Sequence, residues 1–333
     1  MLGRLSEGKK AVLAAAEDLK TRVVTGGEEI HNDGTFCVVG IFKNEAEIVN
    51  EWLEHYTNEG CAHFFLIDND SNDNYTIDEK YQTAVTVVID PEKHAQAKLY
   101  NQHFGEKITK YHWTLVSDLD EFVYARKSFP TIRAFLHSIQ DGNVTQIAIP
   151  WKIFGANGLN TMDQKEPPSC ITGFTKRMDY DKEDGFQGVQ CVKGDMKLNL
   201  CKCIIRSNAV KALIIHNHDL KYGHTVQSHY VSGESCDATL PFVPMNESRL
   251  KASPLHCNHY AIRSFDWFTR VKMTRGSAAS AASTKAKSKI EFFHAFDQVS
   301  NDIDDYELRD KTHAYGDAAA TATTTTTTTT SDE

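Results

Sequence analysis

With 333 residues, the chain is long enough for one large domain or two small ones. Hydrophobic residues make up 41% of it, and 36 basic against 45 acidic side chains leave a net charge of −9. That balance argues against coating nucleic acid or an anionic membrane, but allows a phosphorylated small molecule if a cation bridges the two.

The first 34 residues read as a helical extension. Met1 to Lys20 set Glu7, Glu17 and Asp18 around an Ala-rich patch, as an amphipathic helix does and a signal peptide does not, and a loop follows around Gly26 and Gly34. Phe36 to Phe42 is a continuous apolar run, the pattern of a strand covered on both faces. A helix should follow, capped by Asn44 with Glu47 closing a capping box. Ile48, Val49, Trp52, Leu53 and Tyr56 form its apolar face, and Gly60 ends it. Phe64 to Ile67 and Thr86 to Ile89 are the second and third strands. A helical stretch over Ala95 to Tyr111 leads into a fourth, Trp113 to Val116. Ser128 to Ile139 reads as a helix with Pro130 in its first turn, and Gln146 to Trp151 as a fifth strand. Strands alternating with helices imply a largely parallel sheet wound by crossovers. Further on, Ser277 to Ser288 is rich in Ala, Ser and Lys and reads as flexible. The end of the chain, with Thr323 to Thr330 unbroken, reads as disordered. No stretch approaches the apolar run that spans a bilayer.

The eight cysteines are scattered without a CxxC pair, and Cys201 and Cys203 are too close for an ordinary bridge. Free thiols in a reducing compartment are expected. Asn-x-Ser/Thr triplets at Asn69, Asn74, Asn143 and Asn246 are common by chance. A glycan on Asn69 would block the site described next.

In an open parallel sheet, ligands bind beyond the carboxyl ends of the strands. Three strand ends deliver polar groups there: Lys43-Asn44-Glu45, Asp68 to Asp73, and Ser117-Asp118-Leu119-Asp120-Glu121. If Asp118-Leu119-Asp120 leaves its strand in extended form, its two carboxylates point the same way. Paired carboxylates suit Mg²⁺ or Mn²⁺, with positions left for phosphate oxygens. An isolated Asp-x-Asp is usually just an exposed acidic loop. Here the triplet follows an apolar strand, and Phe122-Val123 return to apolar character. Asp68 could accept a hydrogen bond from a nucleobase or ribose, against the plainer reading of a solvated turn. The second half is rich in histidine, with His216, His218, His224, His229, His256 and His259 among its members. Of these, His256 and His259 could offer an imidazole to a metal. His256 to Gly276 also gathers Tyr260, Arg263, Lys272 and Arg275, donors able to meet a diphosphate. Phe265, Trp267, Phe268, Val271 and Met273 look like core.

These residues resemble the glycosyltransferase family 2-like group that includes family 92. The matching pieces are Lys43-Asn44-Glu45, Trp52 to Tyr56, Phe65 to Asp73, Ser117 to Phe122, Ile149-Pro150-Trp151, Phe154-Gly155, Gly158, His259 to Ser264, Lys272 and Arg275-Gly276. They span roughly Phe36 to Gly276, and their order and spacing are more specific than any one piece.

The resemblance implies an α/β fold of GT-A type, Rossmann-like, with a mostly parallel mixed sheet flanked by helices in a single domain over 35–312. Residues 35–151 would be the nucleotide-binding half and 152–312 the acceptor half, with 313–333 a disordered tail. It implies Mn²⁺ or Mg²⁺ at Asp118 and Asp120, with His259 completing the shell. Asn44, Glu45, Asp68, Asp118, Lys272 and Arg275 would face a nucleotide-sugar. The expected activity is inverting sugar transfer to a glycan or other hydroxyl acceptor, with a carboxylate as base. Asp219 and Asp195 are the base candidates; Asp163, Asp179, Asp181 and Asp184 stay open.

No N-terminal anchor like that of the animal enzymes is seen, so a cytoplasmic location is expected, with the Golgi lumen open only if an upstream segment is missing. A sugar-nucleotide nucleotidyltransferase should carry a Gly-rich phosphate loop after the first strand, and Phe42 to Glu45 has none. A zinc hydrolase lacks an HExxH spacing. An inactive carbohydrate-binding domain of the same fold stays open.

Overall fold

The computed structural model describes residues 34–160, 169–182, 190–193, 196–221, 228–230, 235–236 and 241–316. The expected N-terminal extension lies outside them except for Gly34. Asp163, Asp184, Asp195, His224 and the Thr run lie outside them as well.

Four strands form the parallel part of the sheet: β1 (Phe36–Phe42), β2 (His63–Asp68), β3 (Val85–Ile89) and β4 (Trp113–Val116). β1 pairs with β2 on one side and β4 on the other, and β2 with β3. After β4 the chain turns into β5 (Glu121–Ala125) and later forms β6 (Gln146–Ile153) and β7 (Met196–Arg206). β7 runs antiparallel between β4 and β6, giving the order β6-β7-β4-β1-β2-β3. The result is a mixed sheet, with helices on its faces.

β6 belongs to three ladders, one of them with the short parallel strand Ser228–Tyr230 beside Gln146 to Ala148. Gln146 to Pro150 pair with β7, whereas Trp151 to Ile153 pair with β8 (Leu255–His259), which in turn lies antiparallel to β5. The sheet therefore forks at Trp151, and the segment from Ser117 to Asp120 spans the gap between the prongs.

The alternation of β1 explains its burial on both faces. Phe36 and Val38 pack with α1 (Val49–Asn58), while Cys37, Val39 and Ile41 join Leu99, Tyr100 and Phe104 of α2 (Gln96–Phe104) in a second cluster. The expected apolar face of α1 is buried in full, and Gly60, at φ 88°, takes the left-handed conformation that ends it.

Four expectations change. α1 begins after Ile48 with no side-chain cap, and Asn44 instead sits at φ 54°, its side chain accepting from Asn72 N at 2.8 Å. Asn44 thus clamps two loops together. Pro130 precedes α3 (Ile132–Ser138) rather than lying in its first turn, because Thr131 Oγ1 is the cap and accepts from Ala134 N. Residues 313–316 are helical, continuing a helix that starts at 307. Ser277 to Ser288 is ordered. It follows α4, which is α-helical at Phe265–Trp267, a π-helix through Phe268–Lys272 and α-helical again at Met273–Arg275. Within it, α5 (Ala281–Lys287) is capped by Ser280 and precedes α6 (Ile290–Gln298). Backbone ties from Ala278 O to Gln96 N and from Thr284 Oγ1 to Ser277 N hold the segment down, which composition alone could not reveal.

The six cysteines with described side chains are unpaired and buried. Among the described residues no helix is long and apolar enough to cross a membrane.

Candidate active site

Asp118-Leu119-Asp120 is a turn, not an extended segment: Glu121 N donates to Asp118 O at 3.1 Å. Leu119 turns into the core, and both flanking carboxylates still reach one cavity. α1 fixes this turn. Trp52 Nε1 donates to the carbonyls of Asp118 and Glu121, each at 3.1 Å. Tyr56 Oη donates to Glu121 O and accepts from Val123 N, and His55 Nε2 donates to Val123 O at 2.7 Å. Three aromatic side chains on one helix face thus satisfy the polar backbone between β4 and β5, which burial would otherwise leave unpaired.

Each carboxylate of the turn has its own cation. Lys202, fully buried on β7, lies 3.0 Å from Asp118 Oδ2 and 3.1 Å from Glu121 Oε2. Lys272 Nζ lies 2.5 Å from Asp120 Oδ2. It sits in the π-helical part of α4, a distortion frequent at functional sites. Burial works to raise both aspartates, but Lys202 outweighs it at Asp118, and Lys272, His259 and Arg275 hold Asp120 well below the usual carboxylate range. Glu121 goes the other way: burial dominates and pushes it up to about 8. Burial also lowers His259, against the pull of Asp120.

A cavity of about 460 Å³ opens at this edge. Of the expected site residues, Glu45, Asp118, Asp120, His259, Lys272 and Arg275 line it. Glu45 is buried, with its carboxylate 2.6 Å from Arg275. Asn44 and Asp68 do not line it. Asp68 Oδ1 accepts from Ser71 N, so it shapes its own loop, and the cavity meets β2 at Asn69 instead. The Asn69 amide is buried and donates to the carbonyls of Asp90 and Glu92, which removes it as a glycan acceptor in the folded chain. Asp219 is exposed at the end of a short hairpin whose loop lines the cavity at Ile215 and His216, but it does not line the cavity itself, and Asp195 is outside the described residues.

Several contributors were missed from sequence. Gln96 Nε2 donates to Asp118 Oδ1 at 2.9 Å. Trp151 lines the cavity at the fork, its ring centroid 4.1 Å from that of His259 and 5.3 Å from that of His216. Lys202 did carry a signal, being a lysine inside the apolar run Leu200-Cys201-Lys202-Cys203-Ile204; a cation there needs buried partners.

A divalent cation would find hard and borderline donors here. Asp120, Glu121 and His259 each bring one ligand atom within 4.8 Å of the other two. Glu121 and His259 meet because they are directly opposed across the β5–β8 ladder. Glu121 Oε1 and His259 Nδ1 are buried without hydrogen-bond partners. Carboxylates with an imidazole fit Mn²⁺ or Mg²⁺. Of the expected set Asp118, Asp120 and His259, Asp118 is not in this cluster; its carboxylate meets Lys202 and Gln96.

Two solved structures are distantly similar. The mannosyltransferase PcManGT from Pyrobaculum calidifontis, in complex with GDP-Man and Mn²⁺, is 12% identical, with a TM-score of 0.34 over 95% of this chain and 87% of that one. HddC from Yersinia pseudotuberculosis is 10% identical, with a TM-score of 0.27 over 53% of this chain and 78% of that one. Likenesses this remote assign nothing. No curated protein matches the sequence significantly. The glycosyltransferase family 92 profile matches residues 32–236, more than half of the chain, including β1, the Asp118–Asp120 turn and the fork at Trp151. The chain therefore belongs to glycosyltransferase family 92 and is a glycosyltransferase.

Proposed function

We propose that the chain transfers a sugar from a nucleoside-diphosphate donor to a glycan or other hydroxyl acceptor, inverting the anomeric carbon on a GT-A type scaffold. The observation that carries this reading is the meeting of Asp118, Asp120 and His259 with Lys272 and Arg275 on one cavity at the carboxyl ends of parallel strands. A divalent cation held by Asp120 and His259, with Asp118 beside them, would supply positive charge for the departing diphosphate.

The protein's own part is positioning and charge. The acceptor oxygen attacks the anomeric carbon as the bond to the phosphate oxygen breaks, and the electron pair leaves with the diphosphate. Lys272 and Arg275 raise the local positive potential, and both help to keep Asp120 ionised. Trp151 offers a flat apolar wall for the sugar. The acceptor proton passes to a carboxylate base, for which Asp219 and Asp195 are the sequence candidates.

A thermal-shift screen with UDP-, GDP- and dTDP-sugars, each with and without Mn²⁺, tests the reading. At least one donor should stabilise the protein only when the cation is present, and Asp120→Ala should abolish the effect. Equal responses to every donor regardless of cation would sink it.

A further inference from the structure

Among the described residues, four Lys and Arg side chains line the cavity: Lys43, Lys272, Arg275 and Lys287. Three are already committed. Lys43 Nζ is 2.9 Å from Asp70, Lys272 Nζ 2.5 Å from Asp120, and Arg275 Nη1 2.6 Å from Glu45. Lys287 differs: among the described residues it makes no ion pair and no hydrogen bond. It stands at the last turn of α5 and lines the cavity together with Ser277, Ala278, Ser283 and Ala286, near enough to Asp118 and Asp120 for both to act on its charge. The ties from this segment to α2 hold it in place.

A cation so placed lacks its natural counter-charge. The carboxylates that act on it, Asp120 and Asp118, are each held by another lysine, while Lys272 and Arg275 add repulsion. Burial, reinforced by Lys272, brings its ammonium down to about 8. An arriving anion would relieve that repulsion without breaking any existing pair, which neither Lys272 nor Arg275 can offer. Its neighbours on α5 that line the cavity, Ser283 and Ala286, are small.

We propose that Lys287 is a donor-binding residue that meets the diphosphate of a nucleoside-diphosphate-sugar from the α5 wall. The proposal rests on the donor reading above and adds to it a contact from α5. Lysine suits the task as a compact, mobile point charge that can follow the phosphates as the sugar leaves.

The test is calorimetric titration of the full chain with UDP, GDP and dTDP in the presence of Mn²⁺, and with inorganic pyrophosphate. The matching nucleoside monophosphates serve as a comparison. Lys287→Gln should weaken the tightest-binding diphosphate by roughly tenfold or more, the range of a charged hydrogen bond. It should weaken pyrophosphate similarly and the monophosphate less. Lys287→Arg should stay within about threefold of the parent, since it restores the charge. An unchanged thermal midpoint in both variants shows that the fold is retained. If the parent binds a diphosphate and Lys287→Gln binds it equally well, this proposal fails while the donor reading stands. If the parent binds none of the diphosphates, the donor reading fails and takes this proposal with it.

Discussion

Replacing Lys202 by Met should destabilise the protein by about 3–5 kcal/mol, the usual loss when one partner of a buried ion pair is removed. The figure follows from its surroundings. The ammonium is 0% exposed, lies 3.0 Å from Asp118 Oδ2 and 3.1 Å from Glu121 Oε2, and donates to Ile215 O at 3.2 Å. At an effective dielectric near 20, each carboxylate contact is roughly 5 kcal/mol of Coulomb attraction. Much of that gross figure offsets the desolvation of three charges, and Met keeps the volume while leaving two carboxylates uncompensated. Protonation limits the damage. Burial already pushes Glu121 up to about 8 with Lys202 present, and losing the lysine raises it further. A carboxyl whose folded pKa lies above its unfolded value stabilises the fold at low pH and loses that contribution as pH rises through the folded pKa. The deficit should therefore be smaller at pH 6 than at pH 8.5. Urea denaturation at both pH values, with an unchanged m-value, measures it. The companion triple variant Lys202→Met, Asp118→Asn, Glu121→Gln should recover most of the loss, because no unpaired charge remains. A single variant within 1 kcal/mol of the parent at both pH values, or a triple variant as unstable as the single, would refute the reasoning.

Trp52→Phe keeps most of the buried ring but removes the donor shared by Asp118 O and Glu121 O, and should cost about 1–2 kcal/mol. Because the loss falls on the turn itself, donor affinity should drop alongside stability, and titration beside denaturation checks both. Acid should unfold the protein early. Burial holds His55 neutral down to about 3, and His218 and His256 down to about 4, whereas the unfolded chain takes up protons near 6.5. The stability these neutral rings contribute is complete above 6.5 and is lost as pH falls toward their folded values. Each should remove about 2 kcal/mol between pH 7 and pH 5, seen as a falling urea midpoint; a flat midpoint over that range would contradict it. Gly40→Ala would place a methyl 3.0 Å from Ser117 O and 3.2 Å from Leu66 Cδ2. Overpacking of this kind costs about 1–3 kcal/mol, and since one neighbour is backbone entering the turn, transfer activity should fall with the melting temperature.

The parallel half of the sheet was legible because its strands are continuous apolar runs and β1 is covered on both faces. The edge that carries the cavity was legible for the same reason, since strand ends locate it. What escaped were features that depend on distant partners. Asn44 has the composition of a cap, but Ser71 and Asn72 draw it away from the helix. The Asp118–Asp120 carboxylates were placed correctly on the cavity through incorrect geometry, a turn rather than an extended segment. β5 was not expected, because Glu121 to Ala125 becomes a strand only once β8 arrives more than a hundred residues later. Lys287 lay in a stretch whose Ala, Ser and Lys content reads as flexible, although hydrogen bonds to α2 and within the segment fix it.

The strand shared between ladders bears on how this enzyme can be dismantled. An expected boundary between residues 151 and 152 falls within β6, where its partner changes from Cys201 opposite Pro150 to Cys257 opposite Trp151. A cut there would leave both fragments with a torn, hydrogen-bond-hungry margin. Chimeras that graft the latter portion of a relative onto this chain should therefore carry Gln146–Ile153 across as one uninterrupted piece, with the crossover placed in the preceding loop.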